Sequence, residues 1–264
     1  MPLSKKQIRI IKKSIQELLK LEERISKKKE DMVNGDTSPF LINLLGDKNT
    51  LLTKVAQSLQ TTIGMKFYEQ TCKVLGEHVG YKVELQKKCK GFISDEVREY
   101  LVALDSVSYI PDRNKEIESI RELCRNLHEP PCNEYPDSTV DVYITTKEGK
   151  EILIDITTVK PNKKEFRVLK EKILRWTAYR MSQNPDIDIE AFIGIPYNPE
   201  SVNITNVEYS RHCKYYDKND LLVGEQLWKK VSNDSCSIVD IVGIFEELKD
   251  ELGSKVDQAL SKID

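Results

Sequence analysis

Two aspartates lie within apolar, β-branched segments, which is an unusual position for this residue type. Asp141 belongs to the run STVDVYITT and Asp155 to the run EILIDITTV, with thirteen residues between the two. Aspartate is a poor strand former and is rarely buried unless it is paired or bound to a metal. Carboxylate oxygens are preferred ligands of Mg²⁺, so the pair predicts a magnesium site. The alternative is that both are exposed residues of edge strands.

The residues between the two runs predict that the aspartates become neighbours. Residues 147–150 form a polar, glycine-containing tetrad, which is typical of a hairpin turn between antiparallel strands. A divalent ion held by two carboxylates lowers the pKa of an attacking water and neutralises charge on a phosphate ester. The chemistry that this pair could support is therefore metal-assisted hydrolysis of a phosphodiester.

A basic helix follows the second run directly. Residues 163–182 have helical periodicity, and residues 160–175 hold seven basic against two acidic side chains, a local charge of +5. A basic surface beside a metal site is what hydrolysis of a polyanion needs. The alternative is an ordinary solvated helix face.

The remaining pattern predicts an α/β domain with a helical N-terminal half. We expect one amphipathic helix over residues 1–30 with Ser4 as its N-cap, broken by Asn34-Gly35-Asp36, and a loop at Ser38-Pro39. The other predicted elements are strands within 81–92 and 191–198 and helices at 49–61, 64–78, 95–104, 113–127, 220–231 and 238–263.

The overall charge conceals a strong segregation. The chain has 264 residues and a net charge of −2, from 41 basic and 43 acidic side chains, which by itself would argue against a polyanionic partner. Residues 1–30, however, hold ten basic and four acidic residues, a charge of +6, which is either a solvated face or a DNA-backbone face. No apolar run reaches the length of a membrane span, so we expect a cytoplasmic protein and no membrane partner.

At this point the residues resemble a known family. Asp141 followed by Asp155-Ile156-Thr157 resembles the Asp…(Asp/Glu)-x-Lys core of the PD-(D/E)XK nucleases. The string DITTVKPN, residues 155–162, is similar to (D/E)-I-K-T-x-K-P-N of type II restriction endonucleases, especially the TdeIII-like group that cuts GGNCC-type sites. Four further segments resemble that group in the same order, namely TSPFLINLL (37–45), GMKFYEQTCKVLG (64–76), AFIGIPYNPE (191–200) and LLVGEQLWKKV (221–231).

The resemblance implies a fold, a cofactor and a set of site residues. It implies a PD-(D/E)XK core, a mixed β-sheet flanked by helices, in a single restriction-endonuclease domain over residues 1–264. Residues 1–80 would be its helical part, and residues 81–264 the nuclease core and C-terminal helices. Asp141, Asp155 and Glu69 would hold Mg²⁺, although a glutamate on an amphipathic helix is also commonly a surface residue.

One departure from the family pattern concerns catalysis. The family has lysine where this chain has Thr157, whose hydroxyl lacks the charge needed to stabilise the phosphate. Three accounts are open: a Lys→Thr change that inactivates a toxic nuclease, a rescue by Lys160, or a relative that binds DNA without cutting it. Positions 157 and 160 face opposite sides of a regular strand, which disfavours Lys160. We therefore expect a substituted lysine and impaired activity.

The resemblance also implies a partner. Double-stranded DNA with a short palindromic, GGNCC-like site would be cut by a homodimer, with a cognate DNA methyltransferase protecting the host. Asn162, Lys163, Lys164 and Arg167 are candidates for contacts with the DNA backbone, although Asn162 is equally suited to be a helix N-cap. Residues 196–206 and 210–216 are candidate base-reading loops. The competing functions are a less specific repair nuclease of the same fold and a non-catalytic DNA-binding relative.

Overall fold

The computed structural model describes residues 3–104, 109–127, 139–157 and 159–260, and these form two compact units. The sheet unit comprises Cys72–Ile238, and the helical unit comprises the described residues before Cys72 and after Ile238. That one domain spans residues 1–264 stays a prediction. None of the helices in the described part of the chain has the length and apolarity that crossing a membrane requires.

The strands within the described residues are β1 (Lys82–Lys88), β2 (Thr139–Thr145), β3 (Glu151–Ile156), β4 (Ile189–Ile195) and β5 (Leu221–Val223). The α-helices of the same residues are α1 (Lys5–Leu19), α2 (Leu21–Val33), α3 (Pro39–Thr62), α4 (Tyr68–His78), α5 (Asp95–Leu104), α6 (Arg113–Arg125), α7 (Lys163–Gln183), α8 (Glu225–Ser232) and α9 (Ile238–Leu260). The ends of the predicted strands at 138 and 158, and the predicted helix beyond 260, lie outside the described residues.

The strands form one mixed sheet in the order β1-β2-β3-β4-β5. The first three are antiparallel, and β3, β4 and β5 are parallel. The predicted hairpin is thus confirmed as β2 and β3. Parallel neighbours need a crossover connection, and α7 provides it between β3 and β4. The predicted α/β class, a mixed sheet flanked by helices with a helical N-terminal part, is confirmed.

Helix α7 forms because its N-terminus is capped and its inner face is apolar. Asn162 accepts a hydrogen bond from the Glu165 N–H, and the Glu165 side chain accepts one from the Asn162 N–H, which is a capping box. Phe166, Ile173 and Trp176 are buried where α7 packs against β3, β4 and α6. This crossover helix therefore has a fixed position beside the centre of the sheet.

The segment after β1 approaches α7 closely at a glycine. A Cβ atom on Gly91 would overlap the carbonyl oxygen of Tyr179, far inside van der Waals contact. Only glycine fits this approach without moving the backbone. Gly91 therefore lets the chain that leaves β1 pack directly against α7.

The predicted helix over residues 220–231 is wrong in its first part. Leu221–Val223 form β5, which pairs in parallel with β4, and α8 begins only after Gly224. Gly224 has φ of +50°, a left-handed value that separates the strand from the helix. A run of three apolar residues fits a buried strand as well as a helix, which is why its periodicity misled the prediction.

The single helix predicted over residues 1–30 is also wrong, although its start is confirmed. Ser4 caps α1 with a capping box, but Lys20 adopts φ of +40° and separates α1 from α2. The break turns Leu21 and Ile25 inward and leaves Glu22 exposed, whereas an unbroken helix would place Glu22 in the apolar stripe. The Arg24 side chain binds the carbonyl of Leu19 that the break releases, at 3.0 Å.

The predicted loop at Ser38-Pro39 is confirmed for Ser38 but not for Pro39, which begins α3. Pro39 is the first helical residue, where a missing N–H costs nothing, and the Ser38 carbonyl accepts the first helical hydrogen bonds. Gly46, with φ of +73°, kinks the helix, and Ile63–Phe67 form a π-helical turn before α4. The predicted break at Asn34-Gly35-Asp36 is confirmed, since α2 ends at Val33.

Candidate active site

Strands β2 and β3 bring Asp141 and Asp155 together within the sheet. Val142 pairs with Ile154, so the antiparallel register sets Asp141 opposite Asp155. Both strands have neighbours on each side, and Asp155 is only 4% exposed, while Asp141 is half-buried. The alternative that both aspartates are exposed residues of edge strands is therefore wrong.

Two hydrogen bonds hold the carboxylate of Asp141. The backbone N–H of Ile156 donates to Oδ2 at 2.8 Å, and the side-chain amide of Gln86 donates to Oδ1 at 3.1 Å. Gln86 lies in β1 with φ of +51°, a backbone conformation that residues with a Cβ rarely adopt. Unfavourable backbone of this kind often occurs at functional sites. Sequence reasoning missed Gln86, because nothing in its local pattern distinguishes it from other polar strand residues.

Burial changes the acidity of Asp155. Removal of the carboxylate from water raises its pKa from 3.8 to about 7, the nearby charge of Lys172 opposes that rise, and the negative charge of Asp141 adds to it. Because the charge of Asp141 disfavours ionisation of the neighbouring Asp155, a cation bound between the two carboxylates would be strongly stabilised. The pair therefore has the electrostatic character of a cation site.

A lysine that sequence reasoning did not single out completes the cluster. Lys172 extends from α7, and its Nζ lies 2.5 Å from Oδ1 of Asp155. The same Nζ lies 5.1 Å from the ring centroid of the buried Trp176, one turn along the helix. The charge run over residues 160–175 indicated that this helix is basic, but only its packing on the sheet determines which lysine reaches the aspartates.

Thr157 and Lys160 have different environments. Thr157 is half-buried and continues the ladder beyond β3, because its N–H donates to the Gly194 carbonyl at 3.0 Å. Lys160 is exposed, and neither aspartate is its partner. A role for either residue in catalysis stays a prediction.

The donor set fits a hard divalent cation. Asp141 and Asp155 offer carboxylate oxygens, and no third acidic, histidine or cysteine side chain joins them among the described residues of the sheet unit. Mg²⁺ is commonly bound by one or two carboxylates and otherwise keeps water or substrate oxygens as ligands. Two convergent carboxylates are therefore sufficient for such an ion.

Glu69 belongs to the helical unit rather than to the sheet unit. It lies in the first turn of α4 and is half-buried, with interaction partners of its own. Its participation in the metal site stays a prediction.

The four predicted DNA-binding residues lie at the start of α7. Asn162, Lys163 and Lys164 are exposed, and Arg167 is half-buried. The side-chain oxygen of Asn162 caps the helix, so its N-cap function is confirmed. The ammonium of Lys163 lies 5.1 Å from the ring centroid of Tyr215. Contacts of these residues with DNA stay a prediction.

The long connection between β4 and β5 packs beside that helix end. Tyr209 donates from its hydroxyl to the carbonyl of Val159 at 3.1 Å, and the Phe166 ring contacts Tyr209 and Tyr216. Within the connection, the buried Asn198 amide donates to the carbonyl of Glu208 at 2.7 Å. Asn198 therefore organises the loop, and the exposed residues around it stay the candidates for base reading.

Comparison with known proteins identifies the family. The model of the family described as type II restriction endonuclease, HinfI, matches residues 3–249. The type II restriction enzyme MjaII of Methanocaldococcus jannaschii is 29% identical over 230 residues, which is 82% of this chain and 58% of that enzyme. HgiEI and HgiCII, type II restriction enzymes of Herpetosiphon aurantiacus, are each 24% identical over 233 residues, or 86% of this chain and 82% and 83% of theirs.

These matches cover the sheet with its acidic pair as well as most of the helical unit. The chain spans little more than half the length of MjaII, but most of the length of the two Herpetosiphon enzymes. The resemblance to type II restriction endonucleases is confirmed, and the chain belongs to the HinfI family of these enzymes.

Proposed function

We propose that the chain is a site-specific endodeoxyribonuclease that requires Mg²⁺ and hydrolyses one phosphodiester in each strand of a short palindromic DNA site. Type II restriction endonucleases generally use divalent metal ions. The single observation that carries the proposal is the buried acidic pair, Asp141 opposite Asp155, in a chain of the HinfI family.

The two aspartates would hold the metal ion, and Glu69 would assist them. When bound, Mg²⁺ lowers the pKa of the attacking water and neutralises charge on the scissile phosphate. Gln86 and the Ile156 N–H fix the Asp141 carboxylate so that it faces Asp155. Burial of Asp155 excludes most water from its side of the site, which strengthens its electrostatic interactions.

The start of α7 would bind the DNA backbone. Asn162, Lys163, Lys164 and Arg167 lie on the helix that immediately follows the strand of Asp155. Basic side chains there attract phosphates irrespective of sequence, while side chains of residues 196–206 and 210–216 would read bases. The recognised site would be palindromic and GGNCC-like.

A palindrome is most simply cut by two identical subunits. We therefore propose a homodimer in which each subunit cuts one strand. We also propose a cytoplasmic protein whose restriction system includes a DNA methyltransferase that protects the host's own sites.

Phage DNA provides the test. The wild type, Asp155→Asn and Asp188→Asn would each be incubated with it in Mg²⁺ or EDTA, since Asp188 is an exposed aspartate paired with Lys150 at 3.4 Å and serves as the control. We expect discrete fragments from the wild type and from Asp188→Asn in Mg²⁺, and intact DNA from Asp155→Asn. A smear would favour the less specific repair nuclease.

The absence of a lysine at position 157, where this chain has Thr157, favours a second candidate function. In that function the protein binds its DNA site without cutting it. That function predicts intact DNA from the wild type together with sequence-selective binding in Ca²⁺, a metal that supports binding but not cleavage. Binding of random duplexes followed by sequencing of the bound fraction would measure it. Absence of any enriched sequence would contradict site-specific recognition in both candidates.

A further inference from the structure

The amino group that the family pattern places at position 157 is missing there, but a lysine does reach the acidic pair. We propose that Lys172 of α7 is the catalytic lysine of this chain and supplies from the helix the positive charge that the family pattern places on the strand. The inference rests on the proposed nuclease function and adds to it the residue that makes this chain an active enzyme.

The first support is the position of the amino group. Lys172 Nζ lies 2.5 Å from Oδ1 of Asp155, and its side chain is 21% exposed, so it reaches the carboxylate from a half-buried position. Side chains two residues apart on a strand point to the same side of the sheet. Because Thr157 continues the ladder through its bond to Gly194, positions 155 and 157 share that side. A lysine at 157 and Lys172 thus approach one carboxylate.

The second support is that the other lysines of residues 160–175, all of which the structure describes, are either exposed or bound in another cluster. Of the five lysines between 160 and 175, Lys160, Lys163 and Lys164 are exposed. Lys170 is bound by Glu116 and Asp220 in a separate buried cluster. Among these five lysines, all within the described residues, Lys172 is the one that contacts the acidic pair.

The chemistry needs a positive charge beside the phosphate. In the hydrolysis, the oxygen of a water bonds to phosphorus, and the bond from phosphorus to one sugar oxygen breaks. That sugar oxygen takes up one proton, and the second proton of the water passes to solvent. Lys172 takes no part in these proton transfers, and its ammonium donates hydrogen bonds to a non-bridging phosphate oxygen as negative charge develops. A threonine hydroxyl cannot provide this charge.

A purely structural function of Lys172 makes a different prediction. If Lys172 only compensates the charge of Asp155, its loss weakens the fold or the metal site, and catalysis declines as a consequence. If Lys172 acts on the phosphate, metal binding and DNA binding survive its removal and only cleavage is lost. Metal affinity and DNA affinity are therefore the readouts that separate the two functions.

The experiment compares five proteins and one matched control on a duplex that contains the preferred site. They are the wild type, Lys172→Met, Lys172→Gln, Thr157→Lys and the double variant Thr157→Lys/Lys172→Met. Lys230→Met is the matched control, because the Lys230 ammonium also lies 2.5 Å from a carboxylate, that of Glu190, and its side chain is 30% exposed. Cleavage is measured in Mg²⁺, DNA affinity in Ca²⁺, and metal binding as the rise in Tm on addition of Mn²⁺.

We expect Lys172→Met and Lys172→Gln to cleave about 100-fold or more slowly than the wild type. Both should keep the Mn²⁺-induced rise in Tm and a DNA affinity within about threefold of the wild type, because their metal ligands and phosphate contacts remain. Lys230→Met should cleave at the wild-type rate. The double variant should regain at least about tenfold over Lys172→Met, because lysine 157 restores the ammonium. Lys172→Gln keeps a hydrogen-bonding side chain and so tests the charge even if Lys172→Met folds poorly.

Two results would overturn the inference while leaving the nuclease function intact. They are wild-type cleavage by Lys172→Met, and loss of Mn²⁺ binding together with cleavage in both Lys172 variants. An inert wild type alongside an active Thr157→Lys would overturn both the inference and the nuclease function of the wild-type chain. The last result would show that Lys172 does not replace the missing lysine. Intact DNA with both the wild type and Thr157→Lys, in Mg²⁺ and in Mn²⁺, would contradict the nuclease function itself.

Discussion

At the scale of single residues, the acidic pair combines two differently solvated carboxylates. Asp155 is buried beneath α7, whereas Asp141 is half-buried and is held by hydrogen bonds from β1 and β3. Burial raises the pKa of Asp155 to about 7, while Lys172 partly offsets that effect. Without a bound cation, the protonation of Asp155 therefore influences the stability of the fold.

This raised pKa predicts a pH dependence for the metal-free protein. Between pH 3.8 and about 7 the folded state keeps a proton on Asp155 that the unfolded chain releases, so stability falls as pH rises through this window. We expect the wild type to lose ~2–4 kcal/mol more than Asp155→Asn across the window, measured by urea unfolding in EDTA. Parallel profiles for the two proteins would contradict this, and Mg²⁺ should reduce the difference by stabilising the ionised carboxylate.

Two substitutions of Gln86 separate the contribution of its side-chain amide from that of its backbone conformation. Gln86→Ala and Gln86→Gly both remove the hydrogen bond to Asp141, so both should cleave roughly tenfold more slowly than the wild type, because the carboxylate is less firmly held. The φ of +51° suits glycine better than alanine. Gln86→Gly should therefore be more stable than Gln86→Ala by about 1 kcal/mol in thermal unfolding. Equal stability would indicate that the backbone relaxes when the side chain is shortened.

At the scale of elements, α7 holds the site against the sheet through charged contacts as well as apolar ones. Lys170 binds Glu116 of α6, and its Nζ lies 2.5 Å from Oδ2 of Asp220. Arg113 donates to Asp220 at 3.0 Å and to the Ala191 carbonyl of β4 at 2.8 Å. This buried cluster connects two helices, a strand and the turn before β5.

Removal of one member of the cluster should be costly. Lys170→Met leaves the carboxylates of Glu116 and Asp220 buried without their ammonium partner, so we expect a loss of ~3–5 kcal/mol in the free energy of unfolding. Lys164→Met, on the exposed face of the same helix, should change it by less than about 0.5 kcal/mol. Denaturant unfolding measures both, and similar values for the two variants would show that the cluster does not stabilise the fold.

Replacement of Gly91 tests the close approach between α7 and the segment that follows β1. Gly91→Ala places a methyl group in steric overlap with the Tyr179 carbonyl oxygen, so the two segments must separate. We expect a loss of about 3 kcal/mol, at the upper end of the usual cost of overpacking. Gly243→Ala is the control, because its methyl group meets nothing within 4 Å in the described structure and alanine favours the helix. A mild effect of Gly91→Ala, comparable with the control, would contradict the close approach.

Local patterns were enough to predict most elements of the sheet unit and the meeting of its two aspartates. The hairpin could be inferred because two β-branched apolar runs joined by a short polar turn are typical of paired antiparallel strands, and the structure pairs them. The breaks at Lys20 and Gly224 could not, because each depends on which side chains the tertiary packing buries. Glu22 was the local sign of the first break, since it interrupts an otherwise apolar stripe.

Lys172 and Gln86 show why the other residues of the site could not be predicted from the sequence. Lys172 lies seventeen residues after Asp155, on a helix with several lysines, and only the docking of α7 onto β3 distinguishes it from the others. Gln86 lies on β1, whose pairing with β2 is separated by more than fifty residues of chain. Contacts between residues that lie so far apart in the sequence depend on the assembled sheet rather than on any local pattern.

At the scale of the whole molecule, a net charge of −2 coexists with a local charge of +5 over residues 160–175. Proteins that neutralise phosphates release counterions, so their DNA affinity falls with salt in proportion to the number of phosphates neutralised. The basic start of α7 would supply such neutralising charge beside the acidic pair. The net charge of the chain therefore does not predict which of its surfaces would bind DNA.

Replacing Lys163, Lys164 and Arg167 together by glutamine should weaken DNA binding for all sequences alike. The slope of log affinity against log salt should decrease by about 1 for each phosphate that the variant no longer neutralises. Lys115→Gln, on the exposed face of α6, should leave the slope unchanged. Fluorescence anisotropy at several salt concentrations measures it, and an unaltered slope in the triple variant would place the phosphate-binding residues elsewhere.

The two lysines of α7 have a joint consequence. Lys170 and Lys172 are two positions apart and so point about 200° away from each other around the helix axis. One is fixed in the buried cluster, and the other contacts Asp155. Any rotation of the helix that disturbs the first contact also displaces the second. Because one helix carries both contacts, loss of the cluster in Lys170→Met should also slow cleavage at temperatures where the protein stays folded, as measured by a cleavage assay below its Tm.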